Sequence, residues 1–248
     1  ERESFINYNE VNSYESETMI SQDDGLDTGN LNCRYKVSTI ANNRLYVGNI
    51  MQKGKVFGDR MIKSPINKYN ILPSSNFIDV AINDGDEITA LEYYKDKILQ
   101  FKKRKVFVIN VAGDYEFLED TFDNIGVVKQ CSVTRTPYGI AWANQSGCYV
   151  YDGGKVINLI ENRIPSTTDY THIDNNYWIA SRPDNTGIPV IGYMQDEDSI
   201  LIKWEDTTVS DVAIPDAITY HFPSKSWMFN FKSIAGNFIA FTSALFVS

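Results

Sequence analysis

The chain has 248 residues, 43% of them hydrophobic and 22% charged, a globular composition that argues against a disordered chain and leaves enough length for a core without disulfides or metals. A formal net charge of −9 excludes tight, sequence-independent DNA binding over the whole surface, because phosphate neutralisation needs Lys and Arg in excess. DNA that slides past a repelling acidic wall stays compatible with that charge.

The aromatic load, 15 Tyr, 13 Phe and 4 Trp, favours strands over helices. Residues 1–37 read as an N-terminal arm, in which "ESFINYN" is expected to form a strand that completes the last blade of the domain described below. Within the arm, "SQDDGLDTGN" approaches the S-x-D-x-G-x-T-W box of sialidases through Ser21, Asp23 and Gly25. Thr28 comes one place late and no Trp follows, so a solvated Asp/Gly turn is the expected reading. Asp23, Asp24 and Asp27 are the one candidate set for Ca²⁺, and no cofactor is expected.

From there, short apolar runs alternate with turn-formers. The runs are "RLYVGNI" (44–50), "KILQF" (97–101), "VFVINV" (106–111), "GIAWA" (139–143), "CYVYD" (148–152), "NYWIAS" (176–181), "IPVIGYM" (188–194), "SILIKW" (199–204), "AITYHF" (217–222), "SWMFNF" (226–231) and "NFIAF" (237–241). Between them lie Asn42-Asn43, Asn144-Gln145-Ser146-Gly147, Asp152-Gly153-Gly154, residues 184–187 and Pro223-Ser224-Lys225-Ser226, which predicts hairpin after hairpin. The only helical candidate, near Glu116–Asn124, is short and broken.

Two hairpins repeat at an offset of about 42 residues: Ile98 to Val106 and Ile140 to Cys148, with Leu91 falling on Val133 and Phe107 on Tyr149. A period in the forties with about four strands per unit predicts an all-β chain of antiparallel, hairpin-built β-propeller blades, whole or partial, with little helix. Further units are expected near Ser38, Tyr177 and Ile234, and residues 38–248 read as one propeller-like domain. Strands apolar on successive residues fit blades covered on both faces, and a two-layer β-sandwich is the alternative. The start at Glu1 and the apolar end "NFIAFTSALFVS" lead us to expect a longer parent chain.

Catalytic motifs are not found. His172 and His221 read as structural strand histidines, and no nucleophile elbow, P-loop, dinucleotide fingerprint or zinc motif occurs, so no enzyme is expected. Cys33, Cys131 and Cys148 lack metal spacing and read as reduced, with a Cys131–Cys148 bridge as the alternative. Trp142, Trp178, Trp204 and Trp227 read as blade-packing residues rather than a sugar-stacking face, and Asn144-Gln145-Ser146, formally a glycosylation sequon, as a turn. No apolar run has the length of a transmembrane helix.

Residues 59–111, "DRMIKSPINKYNILP" followed by "GDEITAL" and "KILQFKKRKVFVI", resemble the tail nozzle (tail tubular protein B) family of short-tailed bacteriophages, in particular the muzzle proteins of crAss-like phages. "RLYVGNI" before them and "SVTRTPYGIAWANQSGCYVYDG" after them extend the likeness over residues 38–155, and beyond it only the rhythm continues. Ile62 departs from the aromatic residue the pattern would have there. The resemblance implies a propeller in a virion tail, assembled in the bacterial cytoplasm. It also implies a ring of six copies that closes the DNA conduit, contacts other tail or adaptor proteins and lets DNA pass without specific binding. It carries no active site. A carbohydrate-binding or glycan-degrading propeller is the alternative function, and a generic protein-interaction propeller a third.

One feature cuts across the acidic composition: Lys102, Lys103, Arg104 and Lys105 in succession. The repeat sets this run on the turn "NQSG" of the next unit, so it is expected at a solvated hairpin tip that discourages edge pairing, or at a subunit contact with an acidic neighbour.

Overall fold

The structure is a computed structural model that describes residues 33–52, 54–73, 75–82, 84–113, 115–160, 188–204, 217–232 and 238–241. Among these no α-helix forms. The architecture is all-β and β-propeller-like, built of four antiparallel sheets, each a meander of chain-consecutive strands. The first sheet holds β1 (Cys33–Ala41), β2 (Arg44–Gln52), β3 (Lys55–Lys63) and β4 (Phe77–Asp79). The second holds β5 (Ile88–Tyr94), β6 (Lys97–Lys102), β7 (Lys105–Asn110) and β8 (Phe117–Asp123). The third comprises β9 (Val133–Thr136), β10 (Gly139–Asn144), β11 (Gly147–Tyr151) and β12 (Val156–Asn158). The fourth departs from the expected four strands and has five: β13 (Pro189–Met194), β14 (Ser199–Trp204), β15 (Ala217–His221), β16 (Ser226–Lys232) and β17 (Phe238–Phe241).

The chain divides into two compact units, residues 1–126 and 127–248. In the first, the first two sheets share a core of Val37, Ala41, Tyr46 and Met61 against Ile88, Leu91, Ile98, Phe107 and Ile109. In the second, Ala141, Ala143, Cys148 and Val150 of the third sheet pack with Ile191, Ile200, Ile202, Ile218, Tyr220 and Trp227 of the fourth. The strands are buried on both faces where a blade requires it: Ile98, Leu99, Val106, Phe107 and Val108 are all within 3% of full burial.

Turn chemistry sets the hairpins. Asn42 and Asn43 both take positive φ, 47° and 58°, which is the two-residue turn that matches strand twist and closes Ala41 on Arg44. Asn144 Oδ1 accepts the N–H groups of Ser146 and Gly147, so the formal sequon is built into a turn between Asn144 and Gly147. The repeat holds in register as well as in pattern, since Phe101 pairs with Val106 as Ala143 pairs with Cys148, 42 residues on.

One expectation is corrected, and the short helical candidate resolves as a strand. Glu116–Asn124 is no helix; it contributes the edge strand β8, pairing Lys105–Asn110 through Asp123–Phe117 with a bulge near Val108. Its acids suit an edge strand, which leaves one side to water and tolerates charge there. The boundary at 37/38 runs through β1, whose pairing with β2 already begins at Cys33↔Gln52, so the unit expected near Ser38 starts earlier. The starts near Tyr177 and Ile234, the run 176–181, the turn 184–187 and the N-terminal "ESFINYN" lie outside the described residues.

Candidate functional site

The β6–β7 hairpin turns at Lys103 and Arg104 alone, since Lys102 ends β6 and Lys105 opens β7. Alternation along β6 sends Ile98, Gln100 and Lys102 to one face and Leu99 and Phe101 to the other. Lys102 is therefore not solvated: it is fully buried, which corrects the expectation of four exposed cations. Its ammonium donates to Asp59 Oδ1 at 2.7 Å, Asp84 Oδ1 at 2.8 Å and the Ala81 carbonyl at 3.0 Å, so all three N–H groups are engaged. Asp59 comes from β3 of the first sheet and Asp84 from the loop that joins the two sheets, so one lysine ties both to the second sheet.

The rest of that loop encloses the tip. Asp86 Oδ2 accepts the backbone N–H of Arg104 at 3.1 Å. Glu87 accepts from Lys36 of β1, Asn49 of β2 and Lys103 of the tip, at 3.0, 2.9 and 3.2 Å. Burial disfavours its ionisation, but those donors outweigh burial and hold the carboxyl down at about 2. Asp84 behaves likewise: partial burial raises its carboxyl, and the Lys102 ammonium, the Asp86 N–H and the Lys105 charge together more than reverse that. On the far side, Gly126 lies so close that a Cβ there would stand 2.1 Å from the Lys102 carbonyl oxygen. Lys36, Lys102 and Lys103 thus meet Asp59, Asp84 and Glu87, three charges against three, and the acidic neighbour of the basic run belongs to the same unit. Lys105 pairs with Asp123 at 3.3 Å where both side chains are largely exposed, a contact worth little in water, and Arg104 is exposed.

This geometry has a pH consequence. Because Glu87 titrates lower in the folded chain than in the unfolded one, its stabilisation is present above the ordinary value near 4.5 and is lost as pH falls toward about 2. Glu87→Gln is expected to flatten the stability profile between pH 5 and pH 2, as measured by urea unfolding at stepped pH. An unchanged slope would show that the clamp contributes nothing.

A second, partly buried pairing anchors the segment before β8. Glu116 takes the Lys63 ammonium on both oxygens at 2.6 Å and the Tyr46 hydroxyl at 3.1 Å. Burial, followed by the Glu116 charge, pushes the Tyr46 phenol well above its usual range, so it remains a donor.

The other residues singled out by sequence take structural places. Cys131 and Cys148 are free, not bridged, and burial pushes the Cys148 thiol far up, which makes it inert. His221 Nδ1 lies 2.6 Å from Ser224 Oγ at the β15–β16 turn and accepts the Ser224 N–H, a turn-capping role. Trp142 is fully buried and stacked on Tyr149 at 5.6 Å, and buried Trp227 donates to the Leu159 carbonyl. Trp178, His172 and the acidic loop with Asp23, Asp24 and Asp27 lie outside the described residues, as does the side chain of Trp204. Among the described residues no group of three His, Cys, Asp or Glu side chains is placed to hold a metal ion. No helix among them is long and apolar enough to cross a membrane.

Sequence reasoning missed a convergence of three turns in the second unit. In "TPYG", Thr136 Oγ1 accepts the Tyr138 N–H and donates to the Gly139 carbonyl, Pro137 fixes its own φ, and Gly139 sits at φ 142°. A Cβ on Gly139 would lie 2.0 Å from the Tyr151 carbonyl oxygen, so only glycine fits. Tyr138 is held outward with 41% of its surface exposed, and it stacks on Phe222 of the β15–β16 turn at 4.4 Å and 19°. Phe222 in turn donates its backbone N–H to the Asp198 carbonyl of the β13–β14 turn, and the Asp198 carboxylate accepts from the Tyr193 hydroxyl. That bond raises the Tyr193 phenol to about 12, so it too stays protonated. The only sequence signal was a tyrosine in a Pro-Tyr-Gly turn, where a core aromatic would be out of place.

No family model and no curated protein matches the chain. Among solved structures, a crystal structure of a protein from Lactobacillus plantarum aligns over 88% of this chain and 86% of its own, with 11% identity and a TM-score of 0.38. A likeness that low carries no argument about function.

Proposed function

We propose that this chain is a structural part of a short-tailed bacteriophage tail, a nozzle or muzzle subunit in the ring that closes and lines the DNA conduit and supports assembly of tail parts. The observation that supports the reading is the ordered run of segments over 38–155 that resembles that family, which coincides with consecutive hairpin-built sheets. The charge arrangement agrees with it. The densest basic run is neutralised by carboxylates of its own unit, so a chain of net charge −9 offers passing DNA little to hold. In this reading the partners are further copies of the chain, in a ring of six, and neighbouring tail or adaptor proteins. Rigid, internally paired blades suit a load-bearing wedge.

Electron microscopy of phage particles labelled with an antibody raised against this chain tests the proposal. Label at the distal end of the tail supports it. Label confined to the capsid, or particles that never take label while the protein is found elsewhere in infected cells, overturns it.

A further inference from the structure

Outside the charged clamp, one rim of the first unit sets cations against partly exposed aromatic rings. The β2–β3 register shifts between Gly48 and Ile50, and the extra length in β3 sends Asp59 to Lys102 while Arg60 turns to Asp79 of β4. Asp79 takes the Nε and Nη2 groups of Arg60 at 2.9 and 2.7 Å, and the guanidinium lies against the rings of Phe57 and Phe77 at 4.7 and 4.4 Å. One carboxylate and two rings therefore fix this side chain. Its Nη1–Nη2 edge stays open, because Nη1 makes no hydrogen bond among the described residues and is not sealed from solvent. Exposed Lys55 stands over the Phe57 ring at 5.0 Å and has no carboxylate partner among the described residues. Phe77 beside them is 49% exposed. With Asp79 set against Lys55 and Arg60, the rim keeps one positive charge on a chain of net charge −9.

The opposite charge stands at the β13–β14 turn of the second unit. There Asp198 is engaged, its carboxylate with the Tyr193 hydroxyl and its carbonyl with the Phe222 N–H. Asp196 and Glu197 before it are exposed, and their carboxylates have no hydrogen bond or ion pair among the described residues.

We propose that these two elements meet between copies of the chain, the β13–β14 turn of one molecule docking on the Arg60 rim of the next. One carboxylate of the turn takes the open edge of Arg60, a fork that matches a planar carboxylate, and the other faces Lys55. Both cations stand within 5.0 Å of the same ring centroid, so neighbouring residues of one turn can meet them together. An arginine already held by rings loses little freedom on docking, and arginine beside aromatics is the side-chain set that dominates interface energies. Because the two patches differ, the contact is head-to-tail, which closes as a ring or extends as a filament. A single turn covers little area, so each contact is weak and closure would strengthen it by avidity. The contact gives the ring reading above its residues and rests on that reading for closure alone.

Sedimentation velocity of the purified intact chain tests this without reference to a virion, so the contact and the tail reading fail separately. Concentration-dependent association is expected, weaker as salt rises. Lys55→Glu, Arg60→Gln and the double variant Asp196→Lys/Glu197→Lys should each weaken it about tenfold or more. An equal mixture of Lys55→Glu with Asp196→Lys/Glu197→Lys should restore it, because each reversed patch then finds an opposite charge. Thermal unfolding of each variant separates lost contact from lost fold, and exposed Lys55 keeps the test open if Arg60→Gln unfolds. A chain that stays monomeric at every concentration, association undiminished in Lys55→Glu or in the double variant, or losses that the mixture does not restore would overturn the proposal.

Discussion

Lys102→Met is expected to destabilise the first unit by about 3 kcal/mol, while Lys103→Met, one residue along the same basic run, changes it by less than about 0.5 kcal/mol. The two lysines look alike in sequence and differ in burial. Lys102 is fully buried with both Asp59 and Asp84 on its ammonium, whereas the Lys103 side chain is 49% exposed and meets Glu87 at 3.2 Å. Methionine keeps most of the apolar stem but leaves two part-buried carboxylates facing each other with no cation between them. Removing one partner of a buried set costs more than the pairing itself contributes, because the remaining charges lose their compensation without regaining water. The variant should also depend less on acid: the Lys102 ammonium helps hold the Asp84 carboxyl below its ordinary value, so the parent chain loses that stabilisation as pH falls through about 4 and Lys102→Met has less of it to lose. Urea unfolding at pH 7 and pH 4 measures both effects. Equal losses for the two lysine variants would show that the run is a uniformly solvated tip after all.

The second large effect is a contrast between equivalent positions of successive sheets. Gln100 and Trp142 are 42 residues apart and occupy the same place in the repeat, as Leu91 pairs with Gln100 and Val133 with Trp142. Both are fully buried. Trp142→Ala is expected to cost about 3–5 kcal/mol, the transfer of a large ring plus the cavity it leaves beside Tyr149. Gln100→Leu should act in the opposite direction and stabilise by about 1–2 kcal/mol, because neither amide atom of Gln100 has a hydrogen-bond partner among the described residues. Leucine keeps the volume and removes the desolvation penalty. Chemical denaturation of the two variants checks the signs. A destabilised Gln100→Leu would mean that the amide is satisfied in solution, by an internal water for example, and that Gln100 earns its place in the core.

Much of the strand framework was legible because its causes are local. "KILQF" and "VFVINV" became β6 and β7, and "GIAWA" and "CYVYD" became β10 and β11, since an apolar run bounded by turn-formers has few other ways to bury itself. Asn42-Asn43 and Asn144–Gly147 closed hairpins where their side chains and φ preferences put them. β8 was not legible. "FLEDTFD" carries three acids in seven residues, with Glu116 just before it, and its strand state comes from pairing with β7 rather than from its own pattern. β1 was assigned mostly to the arm for a related reason: "CRYKVSTIA" mixes polar and apolar residues, and only β2 opposite makes it a strand.

The sites divide the same way. Spacing alone placed Lys102–Lys105 at a hairpin tip, because a 42-residue repeat transmits register from one unit to the next. Which of the four faces water was beyond it. Lys102 turns inward because Asp59, 43 residues before it, and Asp84, 18 residues before it, arrive beside the tip only when two sheets pack. The three-turn aromatic cluster has the same origin, since Tyr138, Asp198 and Phe222 belong to three different hairpins. Turn and strand preferences act over a few neighbouring residues and survive in the one-dimensional order. Burial, ion pairing and the convergence of turns depend on which distant segments share a face, and that is settled only by tertiary packing.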